Sequence, residues 1–184
     1  MEKSDDFKVR IEAQENLLNE IETFVSSGML KIQYESACVT SRKAIRIYIS
    51  MPEITEIEVG GSGDVVGSGV FECRDLKLRI SGSGNIDLEA IAKSIECSIN
   101  GSGDIDLSGS TDELEVTIHG SGNVDAVRAE AKRVYVNVRG SGSSKVYAID
   151  YLNADISGSG DVSYKGKPDI DSDVNGSGDI KRIR

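Results

Sequence analysis

A Gly-Ser-Gly triplet that recurs seven times at nearly one spacing restricts this chain to a narrow set of architectures. The triplets begin at Gly61, Gly82, Gly101, Gly120, Gly140, Gly158 and Gly176, so successive steps are 21, 19, 19, 20, 18 and 18 residues. In most copies an Asp or Asn and then a Val or Ile follow: Asp64-Val65, Asn85-Ile86, Asp104-Ile105, Asn123-Val124, Asp161-Val162 and Asp179-Ile180. Self-similarity at this period is the mark of a solenoid, in which each repeat buries its apolar face only against its neighbours.

Counting back from each triplet gives the strand. Two residues before it stand Val59, Ile80, Ile99, Ile118, Val138, Ile156 and Val174, all β-branched. Positions four and six before are also mostly apolar, as in Leu76-x-Leu78 and Leu114-x-Val116. Residues three and five before are polar or charged in almost every copy. This alternation predicts a strand with one buried face, and β-branched residues suit its pleat. The outward residues should form ladders, with Glu56 beside Lys77 and Glu58 beside Arg79. A second short strand is expected after each triplet, from inward residues such as Ile86 and Leu88. A less regular third side, rich in small residues such as Ala90 and Ala129, closes the coil. In the fifth copy Ser144 takes the apolar place, which predicts a bulge or a loosened rung there. The fold class expected is all-β: a single-chain parallel β-helix built from residues 54–184. Neighbouring coils should lie about 4.8 Å apart.

The glycines read as structural turns. Gly61 and Gly63, Gly82 and Gly84, Gly101 and Gly103, Gly120 and Gly122, Gly140 and Gly142, Gly158 and Gly160, and Gly176 and Gly178 would supply positive φ at each corner. A Cβ there would also clash with the same site one coil away. The Ser, and the Asp or Asn after the triplet, can bond the turn backbone. The competing reading is Ca²⁺ bound by the Asp/Asn column. Known glycine–aspartate β-rolls repeat every nine or so residues, about half the period here. Neutral residues also separate most of the acids, so no cofactor is expected.

Residues 1–53 lack the triplet. Phe7–Ala13 and Ala44–Ile49 alternate as strands do, and Met29–Tyr34 follows a Ser26-Ser27-Gly28 turn. Leu17, Leu18, Ile21, Phe24 and Val25 fit a helical face. Ile21–Val25 also fits a strand entering the Gly28 turn, and that reading is preferred. Long strands here would cap the open end of the solenoid.

The net charge of −10 makes nucleic acid and anionic lipid poor partners. No apolar run is long enough to span a membrane. The opening Met1–Asp6 has no apolar signal-peptide core, so either the protein is cytosolic or an export signal has been removed. Three cysteines, Cys38, Cys73 and Cys97, show no CxxC spacing; the odd count argues against a disulfide framework or zinc site. Cys97 falls in an apolar column and reads as core.

The repeated Gly-Ser-Gly-[Asp/Asn]-[Val/Ile] also carries a family resemblance. So does the N-terminal run Asn16-Leu17-Leu18…Gly28-Met29-Leu30-Lys31-Ile32, followed by Ile45–Ile49 and Pro52. The chain resembles the head GIN domain family, described as "putative auto-transporter adhesins" of Gram-negative bacteria. The resemblance implies a right-handed β-helix, export to the periplasm or cell surface, and no assigned activity. The Ser143-Ser144 repeat and the missing export signal depart from it.

No nucleophilic triad is legible, and His119 sits in a variable surface column. Asp155, Asp171 and Asp173 would cluster on the exterior strand, where clustered carboxylates could cleave glycosidic bonds. Three functions stay open: a non-catalytic surface or periplasmic module binding glycans or proteins, a glycan-active enzyme using those acids, and a homo-oligomer joined end to end near Asp179-Ile180.

Overall fold

The structure, a computed structural model, describes residues 1–34 and 44–184; Cys38 lies outside the described residues. The described chain divides into two compact units, Glu2–Met51 and Pro52–Arg184, with Met1 counted in the second.

In the first unit the elements are β1 (Glu2–Lys3), β2 (Lys8–Glu12), α1 (Glu15–Leu18), β3 (Ile21–Ser26), β4 (Met29–Tyr34) and β5 (Arg46–Met51). Strand β5 pairs antiparallel with β2 and parallel with β1. Strands β3 and β4 form a hairpin in which Ser26 faces Met29. Ser27 and Gly28 have φ of 53° and 79°, the pair of positive values that a two-residue turn of matching twist requires. The strand expected over Ile21–Val25 is present. The helical spacing that competed with it is confined to the single turn of α1, which buries Leu17.

The second unit is a parallel β-solenoid of about seven turns. Its strands are β6 (Glu56–Val59), β7 (Val65–Glu72), β8 (Asp75–Ile80), β9 (Ile86–Gly101), β10 (Asp104–Gly120), β11 (Asn123–Gly140), β12 (Ser144–Gly158), β13 (Val162–Gly166), β14 (Asp169–Gly176) and β15 (Ile180–Arg182). Each coil pairs in parallel with the next. Ile80, Ile99, Ile118, Val138 and Ile156 stack as one column. Leu78, Cys97, Val116, Val136 and Ala154 form another, and both columns are buried. Burying each such aliphatic side chain stabilises by roughly 1.5–3 kcal/mol, and no coil could bury its own set alone.

Two expectations need correction. The short separate strands are in fact continuous ladders of 16, 17 and 18 residues in β9, β10 and β11, broken only at the glycine corner. The third-side bend is accommodated inside the ladder by register shifts, at Asp106/Ser108 and Ala126/Glu130 among others, where buried Ala residues leave room. The rung at Ser144 is not loosened either. Ser144 stands in register between Val124 and Val162 and is buried. Its N–H donates to the Asp161 carbonyl at 2.9 Å. Ladder pairing on both sides holds the small residue in the apolar place, and its hydroxyl has no partner.

Candidate functional site

The glycine corner sets how closely coils approach. The Gly101 carbonyl accepts from the N–H groups of Ser121 (2.9 Å) and Gly122 (3.2 Å), and Gly120 does the same for Ser141 (2.9 Å) and Gly142 (3.1 Å). From the second coil on, neither glycine of a triplet has room for a Cβ, and the first carries a further restriction. The first has positive φ from the third coil onward, for instance 126° at Gly120 and 130° at Gly140. The last does not, contrary to expectation. Its restriction is space: a Cβ on Gly122 would overlap the Gly103 carbonyl oxygen and come within 2.8 Å of Ile99 Cγ2. Gly61 and Gly63, in the first coil, have nothing within 4 Å. The triplet serines are exposed and, among the described residues, their hydroxyls make no hydrogen bond.

The Asp/Asn column bonds between coils instead of closing its own turn. The backbone N–H of each member donates to the side-chain oxygen one coil earlier: Asn85 to Asp64 (3.1 Å), Asp104 to Asn85 (3.0 Å), Asn123 to Asp104 (2.9 Å) and Ser143 to Asn123 (3.1 Å). Asp179 completes the series on Asp161 at 3.0 Å. Asn also donates backward, from Asn85 Nδ2 to Asp64 (2.8 Å) and Asn123 Nδ2 to Asp104 (2.9 Å). An amide does both tasks, which explains why Asn and Asp alternate in the early coils. Among the described residues no three His, Cys, Asp or Glu side chains converge as a metal site requires.

The strands before the triplets form an outer face with two contrasting halves. In the first three coils charges neutralise one another. Arg79 meets Glu96 at 3.0 Å and Glu56 at 3.5 Å, and Lys77 meets Glu96 at 3.6 Å. Glu56 does lie beside Lys77, and Glu58 beside Arg79, but Arg79 reaches diagonally to Glu56 and Glu96, while Lys77 pairs straight across with Glu96. In coils four to six the same columns hold Thr117, Asn137, Asn153 and Asp155 around Tyr135 and Tyr151. The two rings lie 5.9 Å apart, tilted by 59°. The seventh coil adds Asp171 beside Asn153 and Asp173 beside Asp155. The three carboxylates singled out in the sequence are therefore neighbours. Asp171 and Asp173 are exposed, and Asp173 accepts from Asn175 Nδ2 at 2.9 Å.

On the third side an open groove of about 630 Å³ runs across several coils. Ile91 and Ile149 line it, both more than 40% exposed, with Cys73, Lys93, Asp112 and Lys132. Lys132 donates to Asp112 at 2.7 Å, and that bond holds the Asp112 carboxyl below its ordinary range. A smaller groove lies between Glu53 and Lys77. The acidic trio lines neither. Cys97 is fully buried, and burial, helped by the charge of Glu96, pushes its thiol up to about 12. It is core, as expected, and unreactive at neutral pH.

Comparisons with known proteins agree with this geometry. The family model described as "Putative auto-transporter adhesin, head GIN domain" matches residues 1–168. The chain belongs to the head GIN domain family. A crystal structure of a "putative adhesin" from Bacteroides fragilis is similar at TM-score 0.94 and 25% identity, over 99% of this chain and 86% of that one. A "putative lipid binding protein" from Parabacteroides distasonis is similar at TM-score 0.80 and 28% identity, over 100% and 87%. A "putative adhesin" from Parabacteroides merdae shares the fold at TM-score 0.80 and 24% identity, over 100% and 86%. No curated protein matches the chain. Among the described residues of this head GIN domain, no helix is long and apolar enough to cross a membrane.

Sequence reasoning about this GIN domain missed the groove and the tyrosine pair. The groove follows from register shifts that have no residue signature. The tyrosines were legible in principle: Tyr135 and Tyr151 occupy outward positions five and seven before their triplets, one coil apart.

Proposed function

We propose that this head GIN domain is a non-catalytic binding module of the cell surface or periplasm, meeting glycan or protein ligands through the outer faces of its coils. One observation carries the reading. The outer face of coils four to six is a broad sheet of polar and aromatic side chains, on which Thr117, Asn137, Asn153 and Asp155 make no hydrogen bond or ion pair among the described residues. Such a face suits contact with an extended partner better than enclosure of a small substrate. The family description, and the adhesin descriptions of similar structures, point the same way.

The enzyme reading has one observation in its favour, the adjacency of Asp155, Asp171 and Asp173. Against it stands the openness of that surface, where no wall would exclude water or orient a sugar. End-to-end joining is disfavoured by charge. Stacking β6 of one copy on β14 of another in the same register would set Glu56 and Glu58 against Asp171 and Asp173, a repulsive arrangement.

The test is retention on arrays of immobilised glycans and extracellular proteins, with an assay for released reducing ends run on the same polysaccharides. Retention on a subset without bond cleavage is expected. Blank arrays on both sides would overturn the binding reading. Cleavage that disappears in Asp171→Asn would replace it with the enzyme.

A further inference from the structure

The outer face of coils four to six differs from the rest of the solenoid in chemistry and in what its side chains are doing. Tyr135 and Tyr151 are half-buried, with centroids 5.9 Å apart on adjacent coils. Arg133 is held at 3.2 Å by Glu113 and stands close to Tyr135. Register places Thr117 beside Asn137, Asn137 beside Asp155, and Asn153 beside Tyr135. Among the described residues none of these four polar side chains makes a hydrogen bond or ion pair. A few coils away the same columns are consumed by the ion pairs of Lys77, Arg79 and Glu96.

From this we infer that the patch is a glycan subsite, selective for neutral sugar chains. The inference rests on the binding-module reading and deepens it. A pyranose ring presents a C–H face and a rim of hydroxyls. The C–H face packs on an aromatic ring, and Tyr supplies that area with little conformational freedom to lose. The rim needs groups that both donate and accept, which amides and hydroxyls do and which Asp supplements as an acceptor. Successive coils repeat both elements at about 4.8 Å, so the subsite is open along the stack and suits a chain more than a single sugar. The local charge sets the class. Arg133 is neutralised by Glu113, and Arg139 stands at the margin. Against that one cation lie Glu115, Asp155, Asp171 and Asp173. A uronate, sialic acid or sulfated sugar would be repelled.

Native gels cast with polysaccharide test this directly, because a protein of net charge −10 migrates toward the anode. The neutral probes are galactomannan and hydroxyethylcellulose; the anionic probes are polygalacturonate and heparin. Retardation by a neutral probe and by neither anionic one is expected. Tyrosine emission, unobscured because the chain has no Trp, should change over the same concentrations. Tyr135→Ala and Tyr151→Ala should each weaken retardation about tenfold, the size of one lost ring contact. Tyr135→Phe should keep most of it, and Lys77→Ala, on the ion-paired half, all of it. Melting curves establish that each variant is folded. Neutral-glycan binding that survives loss of both rings overturns this site and leaves the binding module standing. Retardation by the anionic probes alone overturns the neutral class. Retardation by no polysaccharide overturns the inference altogether, and the broader reading then falls only if the protein array is also blank.

Discussion

The glycine corner and the third side of the same coils both redirect the chain, by opposite means. At the corner the register is unbroken: His119 faces Arg139, and Gly120 faces Gly140. Every coil spends the same three residues there, and at most corners one carbonyl accepts two N–H groups from the next coil. On the third side the register slips, between Val66 and Val70, between Asp106 and Ser108, and twice along β11. The variation in repeat length from 18 to 21 residues is absorbed there. The difference separates two duties. A corner without a Cβ fixes the coil spacing for the whole stack. A side that tolerates bulges is free to vary, and the larger groove lies on it.

The sharpest way to break this comparison is to add one methyl group at two equivalent corners. In Gly103→Ala the Cβ overlaps the Gly84 carbonyl oxygen and lies 2.9 Å from Ile80 Cγ2. The carbonyl belongs to the corner backbone and not to a flexible side chain, so a loss of about 3 kcal/mol is expected, at the upper end of overpacking effects. In Gly63→Ala nothing lies within 4 Å, and the change should stay within about 0.5 kcal/mol. Urea unfolding midpoints measure both. Equal losses would mean that the corner is restricted by its turn geometry, not by the coil beneath it.

What the sequence disclosed divides along the same line. The corner and the strand before it were legible because each coil repeats the same demand: Gly where a Cβ has no room, and Val, Ile or Leu at every second residue facing the core. The acidic trio was legible for the same reason, since aligned columns become neighbours. The bulges of the third side were not, because Ala126 through Glu130 carry no signal that separates a bend from a continuing strand. The inter-coil role of Asn85 and Asn123 was hidden too. A local turn and a bond to the next coil ask for the same residue.

Ser144 offers a smaller test, of opposite sign. It lies just beyond its corner, in register with apolar neighbours, and its buried hydroxyl has no partner. Ser144→Ala removes the unsatisfied group and leaves the ladder intact. It should stabilise by about 1 kcal/mol, the lower range of the cost of a buried unpaired polar atom. A destabilised variant would show that the hydroxyl is satisfied in solution and that this rung is not strained.

The smallest effect is expected where the regular ladder gives way to the third side. Asp106 is the last residue before a register shift, and it lies between Asp87 and Asp125 in one outward column. Burial, then the charges of Asp125 and Asp87, raise its carboxyl above the ordinary range. Lys145, bonded to Asp125 at 3.2 Å, relieves only the far end of the column. An acid whose folded-state pKa lies above its unfolded one binds its proton more readily when folded, so protonation favours the fold. That contribution is present in full below the ordinary carboxylate pKa of about 3.9. It is lost as the pH rises through the raised value, and at neutral pH Asp106 is a small liability. Asp106→Asn should therefore be the more stable protein at pH 7, by about 0.3 kcal/mol once solvent screening is allowed for. The gap should close as the pH falls and wild-type Asp106 takes up its proton, and added salt should narrow it at neutral pH. Unfolding curves for both proteins across that range measure the gap. If it keeps its size at low pH, its origin is packing at the bulge and not charge, and the third side is then less tolerant than its shifting register implies.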